Sequence, residues 1–120
     1  MSGWIGVDLD GTLAVYDEWR GEEHIGEPVA PMVARVKAWL DNGEDVRIFT
    51  ARVDGSNSER CREVIEAWCL EHIGRVLPVT NRKDYGMVVL WDDRAMQVET
   101  NTGLVLQEVL DELFARGESL

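Results

Sequence analysis

The sequence predicts an α/β protein, a parallel sheet with helices on both faces, and two observations carry that expectation. Short, solid apolar runs alternate with longer segments whose apolar residues recur every three or four positions. Solid runs suit a parallel sheet, whose strands are covered on both sides and show no polar alternation. At 120 residues, 45% of them hydrophobic, the chain holds enough material for one core and too little for two ordinary domains. Positions 1–120 therefore read as a single domain.

The first run, Trp4-Ile5-Gly6-Val7, is too short for a helix and stops at Asp8-Leu9-Asp10-Gly11-Thr12, so it reads as a buried strand entering a tight turn. From about 14 to 28 the chain is irregular and polar, a flap loop with Tyr16, Trp19 and His24 as its conspicuous side chains. Pro31 suits a first helical turn, and Met32, Val36, Trp39 and Leu40 keep helical spacing up to Asn42-Gly43. Val46-Arg47-Ile48-Phe49 is a second strand, ending at Thr50-Ala51-Arg52. Asn57 or Ser58 can cap a second helix, whose stripe is Cys61, Val64, Ile65, Trp68 and Ile73 and whose stop is Gly74. Val76-Leu77-Pro78-Val79 is a third strand, and its proline, which has no N–H for a central ladder, assigns it to a sheet edge. Met87 to Trp91 is the strongest apolar run and ends at Asp92-Asp93. A short extra strand is expected near Val98, and a last helix carries Leu106, Val109, Leu110, Leu113 and Phe114 on one side.

The formal charge of −11 disfavours a broad, sequence-independent grip on nucleic acid or an anionic membrane. No run of some eighteen apolar residues is present, nor a basic and apolar leader, which points to a soluble, cytoplasmic protein. Cys61 and Cys69 stand eight positions apart on one expected helix, roughly 12 Å at about 1.5 Å per residue, too far to bridge. With no Cys-x-x-Cys or Cys/His cluster nearby, they read as buried reduced thiols.

Ligands of open parallel sheets bind outside the carboxyl ends of the strands. Three expected strands end there in reactive groups: Asp8 and Asp10, then Thr50, then Asp92 and Asp93. Two positions apart on extended chain, Asp8 and Asp10 point to the same side, and Gly11 permits a turn whose N–H groups approach an anion. A plain turn with Asp10 or Thr12 bonded to local N–H groups is the alternative. A calcium loop is excluded, because its sixth and twelfth positions, glycine and glutamate, are Leu13 and Trp19 here.

This set resembles the haloacid dehalogenase superfamily of phosphatases. Asp8-Leu9-Asp10-Gly11-Thr12-Leu13 matches the family's Asp-x-Asp-Gly-Thr-Leu, Thr50 its second motif, Lys83 its lysine and Asp92-Asp93 its closing acidic pair. The resemblance spans nearly the whole chain, in the right order, although Lys83 lies closer to the acidic pair than in many members, with Arg52 and Arg82 as substitutes. It implies a Rossmann-like sheet of strand order 4-1-2-3, a phosphomonoesterase activity and Mg²⁺ as cofactor. By resemblance Asp8 is the nucleophile and Asp10 the general acid and base. Asp8, the Asp10 carbonyl and one of Asp92 and Asp93, preferably Asp93, hold the metal. Thr50, Ala51, Arg52 and Lys83 bind the phosphoryl group, Thr50 and Lys83 as catalytic groups.

Neither gap where the family inserts a cap holds more than a flap and one helix, so the chain resembles capless members. By resemblance these often serve macromolecular substrates such as phosphoproteins or nucleic-acid ends, or borrow closure from a neighbouring subunit in a homo-oligomer; for this chain the expected substrate is a nucleotide, a nucleic-acid end or a phosphoprotein. On the flap, Trp19 either stacks on a base or packs the loop, packing being preferred, and Arg20 reads as solvated. A receiver-type phosphoacceptor domain is excluded by order, since it places its acidic pair first and its lysine last. A phosphotransferase, or an idle phosphate-binding module of the same fold, remains the alternative.

Overall fold

A computed structural model describes residues 2–117. In chain order the elements are β1 (Trp4–Asp8), α1 (Ala30–Asp41), β2 (Asp45–Phe49), a 3-10 turn (Ala51–Val53), α2 (Ser58–His72), β3 (Val79–Thr80), β4 (Met87–Trp91) and α3 (Leu106–Ala115). The strands form one parallel sheet in the order β3-β2-β1-β4. This is the expected 4-1-2-3 order.

Successive strand residues face opposite ways, and the sheet uses that alternation unequally. Ile5 and Val7 of β1 and Val46 and Ile48 of β2 enter one buried cluster with Met32, Val33 and Val36 of α1 and Cys61, Ile65 and Trp68 of α2. Both helices reach the same side because β1-α1-β2 and β2-α2-β3 step across the sheet in the same direction, and crossovers between parallel strands share one hand. On the other side Trp4 is buried beneath the connection from β3 to β4. Its indole N–H donates to Asp84 at 2.8 Å, and the Arg47 guanidinium lies 4.7 Å from its ring centroid.

The third strand is shorter than the sequence suggested. Only Val79 and Thr80 pair with β2, while the Pro78 carbonyl accepts from Ile48 N–H at 2.8 Å. Proline can accept but cannot donate, so regular pairing starts after it, at the sheet edge as expected. Near Val98 there is a single antiparallel bridge to Val105 in place of a strand. Asn57 occupies the N-cap position of α2 without a capping bond; its amide donates instead to the Glu22 carboxylate in the 14–28 loop.

That loop is held at both ends. Leu9 and Leu13 are fully buried, each contributing about 1.5–3 kcal/mol of apolar burial. The Leu9 carbonyl accepts from Leu13 and Ala14 N–H at 3.0 and 2.9 Å, which closes the turn after β1. Val15 N–H donates to Glu27 and Val29 N–H to Leu13, both at 2.8 Å, and the Trp68 indole donates to the Gly26 carbonyl at 3.0 Å. A Cβ at Gly26 would stand 2.0 Å from the Val15 carbonyl oxygen, so the loop's two limbs meet only because that residue has none.

Candidate active site

Because β2 and β4 flank β1, the residues ending these three strands converge at the carboxyl end of the sheet. A cavity of about 560 Å³ opens there, lined among others by Asp8, Asp10, Thr50, Arg52, Asp92 and Asp93. The sequence had singled out each of these.

Asp8, Asp92 and Asp93 each offer a carboxylate oxygen to one point, the three atoms lying within 4.8 Å of one another. Such a cluster resists full ionisation. Burial first, then the charge of Asp92 and the neighbouring Asp93 and Asp10 carboxylates, raise the Asp8 pKa from 3.8 to about 7. Hard oxygen donors at this spacing fit a small divalent cation, which would offset that crowding.

Two residues of the turn set the cluster's shape. The Thr12 hydroxyl accepts from Asp93 N–H at 2.9 Å and lies 3.1 Å from Asp93 Oδ1 and 3.4 Å from Asp8 Oδ2, able to donate to one of them at a time. Gly11 has φ +92°, and a Cβ there would fall 2.5 Å from Asp93 Oδ2. Glycine is required for Asp93 to approach the turn.

The Asp10 carboxylate stands apart from the cluster. Arg52 holds it with two parallel bonds, Nε to Oδ2 at 2.7 Å and an Nη to Oδ1 at 2.8 Å, the fork geometry that fixes both position and plane. The same guanidinium donates to the His24 carbonyl at 2.9 Å and the Glu22 carbonyl at 3.4 Å, and lies 4.9 Å from the centroid of the Trp19 ring. Arg52 thus joins Asp10 to the flap, and its side chain is 6% exposed. Thr50 is buried; its hydroxyl accepts from Arg52 N–H at 3.2 Å, starting the 3-10 turn that aims Arg52 inward. Ala51, also at the cavity, is exposed.

Lys83 and Arg82 are exposed on the β3–β4 connection and are not among the residues lining the cavity. Arg94, which sequence reasoning passed over, does line it; its only signal was its position directly after the acidic pair. Thr12 had been weighed only as a partner of local N–H groups, whereas it reaches a loop 81 positions away. Among the flap residues Arg20 is solvated and paired with Asp17 at 2.7 Å, as expected. Trp19 is 55% exposed at the cavity, against the expectation that it packs the loop.

Among solved structures, a conserved protein from Bacteroides thetaiotaomicron is similar over 99% of this chain and 94% of its own, with 18% identity and a TM-score of 0.55. At that identity the likeness concerns the fold. No family model and no curated protein matches the chain.

Proposed function

We propose that this chain is a Mg²⁺-dependent phosphomonoesterase that works through an aspartyl-phosphate on Asp8. The observation that carries the proposal is the joint arrangement of Asp8, Thr50, Asp92 and Asp93 around one cavity, with Asp10 fixed beside them. It agrees with the resemblance to haloacid dehalogenase phosphatases read from the same residues.

In this reading the Asp8 carboxylate attacks phosphorus, forming an acyl phosphate as the ester bond breaks, so that one difficult hydrolysis becomes two easier steps. Asp10 gives a proton to the departing alkoxide and then takes one from the water that cleaves the acyl phosphate. Arg52 holds the ionised Asp10 in one plane, which suits the second step; in the first, a bound phosphoryl group draws the guanidinium toward its oxygen and frees one Asp10 oxygen to carry the proton. Thr50 donates its hydroxyl to another oxygen of the phosphoryl group, and Arg94 adds positive charge at the cavity wall. Lys83 contributes only by extending inward from its exposed position. Asp8, Asp92 and Asp93, with the Asp10 carbonyl, would hold Mg²⁺, whose chemistry is to neutralise phosphoryl charge and orient the ester.

The test is release of inorganic phosphate from a panel of phosphomonoesters, with Mg²⁺ or with chelator. Activity is expected with Mg²⁺ alone, and Asp8→Asn is expected to abolish it. Turnover that survives in that variant would refute the assignment. Phosphate delivered to an added acceptor instead of water would identify a phosphotransferase using the same nucleophile.

A further inference from the structure

We propose that the cavity selects phosphomonoesters whose leaving group carries a flat aromatic ring, of nucleoside monophosphate or arylmethyl phosphate size, with Trp19 as the stacking platform and Tyr16 beside it. The proposal rests on the phosphatase reading above and adds the substrate class.

Five observations lead to it. Trp19 and Tyr16 both line the cavity, yet they are 55% and 47% exposed, so neither side chain is consumed by packing the loop. The Trp19 ring rests against a guanidinium at 4.9 Å, and that guanidinium is tied by four hydrogen bonds to Asp10, Glu22 and His24, which favours one orientation of the ring. A pre-oriented ring stacks without first paying the entropy of ordering.

The lining combines two kinds of chemistry. Thr50, Arg52 and the carboxylate cluster suit a phosphoryl group and a cation, while Tyr16, Trp19 and Phe49 add aromatic surface. A volume of about 560 Å³ suits a ligand of nucleotide size. The formal charge of −11 disfavours a broad grip on a polyanion and so favours a small ester. A nucleobase and a simple aryl ring offer the same π face, so the shared feature is the ring.

Two matched pairs test this while holding the leaving oxygen constant: nucleoside 5′-monophosphates against ribose 5-phosphate, and benzyl phosphate against cyclohexylmethyl phosphate. The ring-bearing member is expected to have the higher kcat/KM by roughly five- to a hundredfold, the range stacking of one ring supplies. A preference confined to the nucleotide pair would assign the site to nucleosides, and one in both pairs to flat rings generally. Trp19→Ala should bring the ratio toward one, and Trp19→Phe should preserve it.

The same ligands are titrated calorimetrically into the Asp8→Asn protein, with and without Trp19→Ala. Ring preference in binding without turnover of any ester would keep the stacking site and refute the phosphatase reading. Ratios near one in the otherwise unaltered protein, or ratios indifferent to Trp19→Ala, would overturn the stacking site and leave the phosphatase reading standing.

Discussion

Replacing Asp8 by asparagine should make the metal-free protein more stable at pH 8, an unusual outcome for a buried-site substitution. The Asp8 pKa is raised from 3.8 to about 7, by burial first and then by Asp92, Asp93 and Asp10. In that interval the folded state binds a proton that the unfolded chain does not. The stabilisation is therefore complete below about pH 3.8 and is lost as pH rises through about 7. Three pKa units correspond to about 4 kcal/mol as a ceiling. Asp8 is only partly buried, and solvent screening reduces the expected effect to about 1–2 kcal/mol. For a chain of this size that is a shift of several degrees in Tm.

The assay is thermal unfolding of both proteins between pH 5 and 8, with chelator or with Mg²⁺. With chelator, the native sequence should lose stability toward pH 8 and Asp8→Asn should lose less, ending above it. With Mg²⁺ the native sequence should recover, because a ligand bound only by the folded state stabilises it, and Asp8→Asn should recover little. An asparagine variant less stable at pH 8, with an unchanged pH slope and an undiminished response to Mg²⁺, would refute the crowded-carboxylate argument.

Arg52→Ala should lower kcat by roughly ten- to a thousandfold, in the range of losing one preorganised donor, and should expose the flap to limited proteolysis. Lys83→Ala should cost less; the reverse ranking in steady-state kinetics would return the cationic role to Lys83. Gly11→Ala should weaken Mg²⁺ binding measured by calorimetry, since its Cβ would collide with Asp93 in a backbone conformation that disfavours side chains; affinity equal to the native sequence would contradict the close approach. Cys69 is fully enclosed, and burial pushes its thiol up to about 12, so a thiol reagent should leave it unmodified in the native protein and react after unfolding.

Much of the sheet could be read from local pattern. Trp4 to Val7 and Met87 to Trp91 are solid apolar runs that stop at acids, and these stops are where the strands end, within a residue. The acids at strand ends were therefore legible as a set, because period and polarity fix the strand and the strand fixes the edge. What was illegible depends on contacts between distant positions. The pairing of Arg52 with Asp10 links residues 42 positions apart, and nothing local to Phe49-Thr50-Ala51-Arg52 specifies which carboxylate its arginine meets. Thr12 looks like any turn threonine until β4 brings Asp93 alongside. Trp19 misleads for the opposite reason: its size argues for packing, whereas it lies half-exposed at the cavity against the Arg52 guanidinium. Pro78 signalled an edge and delays regular pairing to Val79, and β3 ends after Thr80 where the chain turns to cross over Trp4.

The central claim is that Asp8 carries the phosphoryl group. Acid quenching during turnover of a phosphate-labelled ester, followed by borohydride reduction and peptide mass analysis, reads the modified residue directly. The expected result is homoserine in place of Asp8 in the peptide containing Asp8-Leu9-Asp10-Gly11, dependent on Mg²⁺ and substrate. Continued turnover with modification at another residue, or with Asp8 recovered unmodified under quenching that preserves acyl phosphates, would contradict it.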